Sequence, residues 1–169
     1  MSNETTTPVI SLSDLDLVTG GNGKNFQSKL GRIGSLIGLK KLGMMLTVVE
    51  PGGKAYPFHA HSANDEAFVI LEGAGTYRFG DKTYPVKQGD ILAAPAGGAE
   101  VAHQIINTGS ETLKYLGIST KAEPEIVEYP DSGKFAAVAR VRGDSFLSAE
   151  FLHVGRLSDK CDYWDGETE

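Results

Sequence analysis

The sequence predicts an all-β protein, a sandwich or a barrel built from short strands. From Leu42 onward, short apolar runs rich in β-branched and aromatic residues recur roughly every eight to twelve residues, with turn residues between them. The chain contains 21 glycines that follow no repeat, which suits a fold with many tight turns. No long amphipathic helical pattern separates the runs, so a helical or α/β fold is not indicated.

The individual strands follow from these runs in chain order. Gly80 and Asp81 are predicted to form a hairpin turn, and Pro124 to begin an irregular tail. The predicted strands are Met44–Glu50, Ala67–Leu71, Gly75–Phe79, Lys82–Val86, Ile91–Ala94, Val101–Ile106 and Leu113–Thr120, with two weaker ones at Phe135–Val141 and Phe151–Val154.

The two ends of the chain give weaker patterns. We expect disorder in Met1–Thr7, a short strand or turn in Ser11–Val18 and a glycine-rich loop in Thr19–Asn25. Tyr163 and Trp164 are expected to hold the tail against the barrel or against a partner subunit. The resulting division is an N-terminal extension over residues 1–40, a barrel core over 41–120 and a C-terminal extension over 121–169.

Composition argues against a nucleic-acid-binding, secreted or membrane-spanning protein. The formal charge of −6 and the pI near 5.2 argue against a nucleic-acid-binding protein. Cys161 is the single cysteine, so it cannot form an internal disulfide, and a reducing compartment is expected. The N-terminus lacks the pattern of a signal peptide, and no apolar run is long enough to span a membrane. We therefore expect a cytoplasmic protein without a membrane partner.

Three of the four histidines belong to one pattern with a glutamate. His59 and His61 are two residues apart, so on a strand they face the same side. Glu66 follows a predicted turn and opens the next strand, and a hairpin would bring its carboxylate back beside both imidazoles. His103 lies in a later strand and could complete the set. Each residue alone is ordinary, but together the four predict a metal site.

The chemistry of this set suits a catalytic divalent cation. Three neutral imidazoles and one carboxylate are suitable ligands for Fe(II), Mn(II), Ni(II), Zn(II) or Cu(II). Four protein ligands leave two positions of an octahedron open for water or substrate, as in catalytic sites. The sequence therefore predicts one divalent metal ion per chain, either Zn, Mn, Ni or Fe.

The spacing of glycines around these residues resembles the cupin superfamily. Gly53, five residues, His59-Ala60-His61, four residues, Glu66, six residues and Gly73 reproduce the first cupin motif. The run from Gly89 to Gly97, followed by His103, three residues and Asn107, resembles the second. In the family two residues usually separate that last glycine from the histidine, and here there are five, Gly98 to Ala102.

The resemblance implies a single-domain cupin jelly-roll barrel with the metal ion inside. It also implies that Asn107 supports the site from behind the ligands, or contacts substrate, and that the protein is a homodimer. A narrower likeness covers most of the chain and includes the runs HAHSANDEAFVILEGAGTY and YPDSGK. These runs resemble single-barrel bacterial cupins that carry the name of sugar-phosphate isomerases.

Several further residues are candidates for catalysis or substrate binding. Glu66, Tyr56 and Glu100 are the catalytic candidates: Tyr56 precedes the histidine pair, and Glu100 is the spare carboxylate nearest to His103 in the sequence. Lys134 follows a polar turn that either holds itself together or acts as a lid that brings this lysine to the substrate.

Three functions are compatible with this site. The first is an isomerase or lyase acting on a small hydroxy-carbonyl compound or a sugar phosphate, with the metal holding substrate oxygens. The second is an Fe(II) dioxygenase with aromatic walls from Phe58, Phe68 and Tyr77. The third is a non-catalytic module that binds a small molecule.

Overall fold

A computed structural model of the chain describes residues 7–143 and 145–168. The expected disorder of Met1–Thr7 therefore falls, apart from Thr7, outside the described residues. The described part consists of antiparallel strands and short 3₁₀ turns, which confirms the predicted all-β class. None of its helical segments has the length and apolarity that crossing a membrane requires.

The strands are numbered in chain order. They are β1 Val18–Gly21, β2 Gln27–Arg32, β3 Leu42–Val49, β4 Ala60–His61, β5 Glu66–Glu72, β6 Ala74–Phe79, β7 Lys82–Lys87, β8 Ile91–Ala94, β9 His103–Ile106, β10 Leu113–Thr120, β11 Glu125–Tyr129, β12 Lys134–Val141 and β13 Ala149–Arg156. The 3₁₀ turns are Leu12–Asp14, Ala99–Val101, Pro130–Ser132 and Phe146–Ser148.

The strands form three sheets. The large sheet has the order β1-β2-β3-β10-β5-β8, and a three-stranded sheet has the order β7-β6-β9. Inward side chains of these two sheets share one buried core, in which Ile70, Leu113 and Tyr115 are almost completely covered. The third sheet, β13-β12-β11-β4, carries His61 on its innermost strand.

The two predicted extensions contribute strands to these sheets. β2 pairs with β3 over Lys29–Arg32, so the N-terminal segment continues the large sheet, and β1 occupies part of the predicted glycine-rich loop. β11 lies where an irregular tail was predicted, and it pairs with β4 and β12. Glycine and polar residues interrupt the apolar alternation of these strands, which hides them in the sequence.

The extra residues before His103 form a compact turn. The strand predicted for Val101–Ile106 begins only at His103, and Ala99–Val101 form a single 3₁₀ turn. The insertion is therefore absorbed before β9, and the histidine keeps its place at the start of that strand.

Gly73, the last glycine of the first motif, is required by close packing. Its φ of +80° is a left-handed conformation, and a Cβ atom there would lie 2.5 Å from the carbonyl oxygen of Thr112. Any side chain would therefore push β5 away from the start of β10.

Candidate metal centre

Three strands and one bridge bring the four predicted ligands together. His61 lies on β4, Glu66 opens β5 and His103 opens β9. His59 precedes β4, and its backbone pairs with that of His103 through hydrogen bonds of 3.1 and 2.7 Å. Because the backbone fixes all four positions, the site does not depend on a flexible loop.

The four side chains converge on one carboxylate oxygen. Oε2 of Glu66 lies 3.0 Å from Nε2 of His103. The same oxygen lies 3.5 Å from Nε2 of His61 and 3.7 Å from Nε2 of His59. His59, His61 and Glu66 have the mutual spacing of a metal-binding group, and His103 closes the cluster from the buried side.

The other ring nitrogens show which atoms are available to a cation. Nδ1 of His59 lies 2.8 Å from the carbonyl oxygen of Pro57, which fixes the proton on Nδ1 and leaves the Nε2 lone pair facing the cluster. Nδ1 of His61 lies 3.4 Å from Oε2 of Glu125. Nδ1 of His61 and Nδ1 of His103 are both buried without a hydrogen bond among the described residues, so Glu125 is a close charged neighbour of the His61 ring rather than an aligned acceptor.

This donor set fits a divalent cation. Imidazole lone pairs that face a carboxylate oxygen repel one another unless a proton or a cation lies between them. Nitrogen and oxygen donors of this kind suit Zn, Mn, Ni and Fe. His59, His61, Glu66 and His103 are therefore the residues that could hold a metal ion here.

Electrostatics keep the carboxylate ionised. Burial raises the pKa of Glu66, but the hydrogen bond with His103 at 3.0 Å and the nearby imidazoles of His59 and His61 outweigh burial and hold the pKa well below its usual range. Burial lowers the pKa of His103, which favours the neutral form that binds metals. Glu66 is thus an anion beside His103, whose neutral form is favoured.

A narrow cavity of about 10 Å³, with room for about one water molecule, lies beside the cluster. Tyr56 borders it, and burial raises the pKa of this tyrosine to about 12, so the phenol stays neutral and acts as a hydrogen-bond donor rather than a base. The remaining lining residues are His59, Phe68, His103, Gln104, Ile105 and Tyr115.

Glu125 is a functional residue that the sequence analysis missed. It is buried on β11, and its carboxylate accepts hydrogen bonds from Asn64 Nδ2 and from the backbone N–H of Ala63 at 3.0 Å. Burial raises its pKa, but the nearby His61 ring and the bonds from Asn64 and Ala63 outweigh burial and lower it. The alternation of Glu125, Val127 and Tyr129 on one face was the available signal, and it was hidden by the expectation of an irregular tail.

The structure does not bring the other predicted residues to the cavity. Glu100 is exposed on a 3₁₀ turn, where its carboxylate accepts the N–H of Gly98 in its own loop at 3.0 Å. The loop therefore binds this carboxylate, and Glu100 does not line the cavity, where the sequence analysis expected a base.

Asn107 also has a different role from the one expected. It is completely buried, and its Nδ2 donates to the carbonyl oxygens of Val49 and Glu111 at 2.8 and 2.9 Å. Its Oδ1 accepts the N–H of Gly109. These bonds join strand ends, and none of them reaches one of the four converging side chains.

Lys134 lies near the mouth rather than within the cavity. Its Nζ is 5.6 Å from the ring centre of Tyr129, and the Tyr129 ring stacks against His59 at 6.4 Å between centres. One aromatic ring therefore separates this lysine from the cluster.

Comparison with known proteins finds a family match in the middle of the chain. Residues 45–119 match the cupin domain family and include all four converging side chains. This segment is similar to a cupin domain. A sugar phosphate isomerase of the cupin superfamily from Silicibacter pomeroyi superposes with a TM-score of 0.74 at 21% identity, covering 94% of this chain and 98% of that one. A structure from Acidithiobacillus ferrooxidans, provisionally named for the same activity, gives 0.77 at 23% identity, with coverages of 94% and 98%. At these identities the likeness shows the fold.

A curated protein is similar to this chain over a longer segment. Auxin-binding protein 1 of Arabidopsis thaliana is 29% identical over 126 residues, which is 69% of this chain. This chain spans about three fifths (61%) of the length of that relative.

Proposed function

We propose that this protein binds one divalent metal ion through His59, His61, Glu66 and His103, and that it is a metal-dependent enzyme. The observation that carries the proposal is the convergence of three imidazole Nε2 atoms on one ionised carboxylate oxygen. The side chains of His59, His61 and Glu66 are 14%, 21% and 19% exposed, so solvent reaches one side of the cluster, as in catalytic rather than structural sites.

The reaction we propose is an isomerisation or related lyase reaction of a small hydroxy-carbonyl compound, with a sugar phosphate as the first candidate. A bound divalent ion would supply Lewis-acid polarisation of a carbonyl oxygen. Tyr56 stays neutral, and its hydroxyl, which donates to Sδ of Met45 at 3.8 Å, would have to turn to donate to a substrate oxygen held at the cluster. Phe68 and Tyr115 would exclude water, and Lys134 at the mouth would attract an anionic group of the substrate.

Elemental analysis tests the metal site. Purified protein should contain near one Zn, Mn, Ni or Fe per chain, and the His59→Ala/His61→Ala variant should contain none. His153→Ala is the matched control, because this exposed histidine is remote from the cluster and its loss should leave the metal content unchanged. Absence of metal from both the wild type and the double variant, even after reconstitution, would refute the site.

A substrate panel tests the reaction. The metal-loaded protein should convert at least one sugar phosphate or hydroxy-carbonyl compound, and Glu66→Ala should abolish that activity. A full metal complement without turnover across a broad panel would contradict the enzyme proposal and favour a non-catalytic binding module.

The aromatic wall of the cavity supports a second candidate, an Fe(II) dioxygenase. Phe68 and Tyr115 line the cavity, and Tyr77 lies behind it with its ring centre 6.3 Å from that of His103. Phe58, which was expected to join this wall, instead packs under Arg78 outside the cavity. Oxygen consumption by the iron-loaded protein with a catechol or thiol substrate would favour this reaction over isomerisation.

A further inference from the structure

The outer strand of the third sheet is an exposed edge. β13 is the last strand in the order β13-β12-β11-β4, so no strand of the described residues lies beside one side of its backbone. Phe151 and Val154 on this strand are 48% and 51% exposed, and Leu157 beyond it is 72% exposed. A long apolar edge of this kind is a template for pairing with another strand.

Apolar residues beyond this edge are also uncovered. Tyr163 and Trp164 pack against each other in a T-shaped pair, and they are 83% and 71% exposed. These two side chains therefore do not pack against the described part of their own chain. The sequence predicts that they pack either on the barrel or on a partner subunit, and the second of these remains.

Symmetry limits how two copies of β13 can pair. Antiparallel strands related by a twofold axis side by side require that axis to be perpendicular to the sheet. Such an axis keeps each side chain on its own face, so residues that lie opposite each other must be an even number of positions apart. The axis therefore passes midway between the two copies of one residue, which lie opposite each other. The central candidates for this residue are Leu152, His153 and Val154.

Two of these three registers place unlike groups opposite each other. An axis through Leu152 sets Glu150 against Val154 of the second copy. An axis through Val154 sets Leu152 against Arg156 of the second copy. Each arrangement puts a charged side chain against an aliphatic one, which gains nothing from a cross-strand pair.

The register centred on His153 is complementary along the strand. Glu150 lies opposite Arg156 of the second copy, and Leu152 lies opposite Val154, and the axis repeats both pairs. Opposite charges and apolar side chains facing each other are the pairs that stabilise antiparallel strands.

This register also accommodates the remaining aromatic residue. Phe151 lies opposite Gly155 of the second copy, which adds no side chain of its own at that position. The ring of His153 covers Gly155, since its Nε2 is 2.8 Å from where a Cβ of Gly155 would stand. An aromatic ring would therefore meet an imidazole surface.

Both charged residues also have partners within the chain. Glu150 contacts Arg142 and lies 3.3 Å from Nε of Arg140, and Arg156 donates to the carbonyl oxygen of Ser132 at 2.6 Å. These contacts order the two charges near the edge, and both groups have further hydrogen-bonding capacity for a neighbour.

We propose that two copies of this chain associate by antiparallel pairing of β13 with β13, centred on His153, so that two third sheets form one continuous eight-stranded sheet. The exposed Tyr163 and Trp164 then pack against the second copy. This inference does not depend on the metal site or the reaction, because it concerns a different face of the molecule.

Sedimentation equilibrium with charge-reversal variants tests the register. Glu150→Arg and Arg156→Glu, each alone, place like charges opposite each other twice and should raise the dimer dissociation constant about tenfold or more. The double variant Glu150→Arg/Arg156→Glu restores opposite charges and should regain most of the affinity. Glu72→Arg, an exposed residue of β5, is the control and should leave association unchanged.

Cysteine cross-linking tests the same register without relying on stability. In a Cys161→Ser background, His153→Cys should oxidise to a disulfide-linked dimer, because position 153 faces itself across the axis. Glu150→Cys, which faces position 156, should remain uncross-linked. The single tryptophan, Trp164, reports the tail, and its emission should shift to shorter wavelength as the dimer forms.

Three results would overturn the proposal. A monomer at all concentrations would exclude the interface. A dimer that is indifferent to both single charge reversals, with far-ultraviolet circular dichroism showing folded variants, would place the interface elsewhere. Cross-linking through position 150 rather than 153 would exclude this register.

Discussion

At the scale of single residues, His61 is held from both sides of its ring. Its Nε2 faces Glu66 at 3.5 Å, and its Nδ1 faces Glu125 at 3.4 Å. A carboxylate behind a metal-binding histidine fixes the ring orientation and the tautomer, which leaves the correct nitrogen free for the metal. Glu125 is therefore a positioning residue.

Replacing Glu125 should weaken metal binding without removing a ligand. Glu125→Ala should lower the affinity about 10- to 100-fold, the usual cost of losing such a partner, while Glu125→Gln keeps an oxygen acceptor and should lose less. Competition with a chromophoric chelator measures both. Glu128→Gln, on the opposite face of the same strand, is the control, and equal losses in all three variants would show that Glu125 has no special role.

Metal binding should weaken as the pH falls, and the loss should begin at a higher pH than it would if His61 had the pKa of an ordinary histidine. Burial lowers the pKa of His61, but the nearby charges of Glu125 and Glu66 outweigh burial and raise it. Because the metal binds neutral imidazole, protons compete with it as the pH falls through this raised pKa. In Glu125→Gln, one of these charges is absent, so the loss of binding should move to lower pH. Affinities measured from about pH 5 to 8 check this, and an unchanged midpoint would contradict it.

At the scale of elements, a clamp joins the second and third sheets. The guanidinium of Arg78 on β6 makes two bonds, 2.7 and 2.8 Å, to the carboxylate of Asp131 in the turn after β11. The same guanidinium lies 3.6 Å from the ring centre of Phe58. The clamp holds the end of β11, where Tyr129 stacks on His59.

Removing this clamp should have a graded effect on stability. Both charges are partly exposed, so Asp131→Asn should cost below about 1 kcal/mol, and Arg78→Ala, which also loses the stacking on Phe58, about 1–2 kcal/mol. The bond with Arg78 lowers the pKa of Asp131, so the contribution is present above the unfolded-state pKa and is lost as the pH falls through the folded-state value. Urea unfolding of wild type and Asp131→Asn should therefore converge in acid. A difference that grew in acid would reverse this interpretation.

The elements that the sequence predicted well are those in which local preference and burial agree. β5 and β10 are rich in β-branched and apolar residues. Gly73 follows β5, and a turn with Asn107 and Gly109 precedes β10, so both strands were located within about two residues. β2 (QSKLGR) and β11 (EIVEY) were missed, because their polar and charged residues leave no apolar run long enough to indicate a strand. The converging ligands followed from spacing within motifs, whereas the position of Glu125 beside His61 depends on the pairing of β4 with β11, which lie far apart in the sequence.

At the scale of the whole molecule, stability depends on the core shared by the first two sheets. Ile70 is 1% exposed in that core, whereas Ile91, on the neighbouring strand β8, is 76% exposed. Ile70→Ala should cost about 2–5 kcal/mol through lost burial and a residual cavity. Ile91→Ala removes the same atoms and should stay within about 0.5 kcal/mol. Equal losses by urea unfolding would show that the core is not where we place it.

The pairing of β4 with β11 has a consequence for how the protein is made. Synthesis runs from the N-terminus, so the four converging side chains leave the ribosome before Glu125, which lies beyond the matched cupin domain at 45–119. A nascent chain therefore passes through a stage in which the ligands are present and the carboxylate behind His61 is not. An ion captured in that interval would be held about 10- to 100-fold more weakly than after β11 docks.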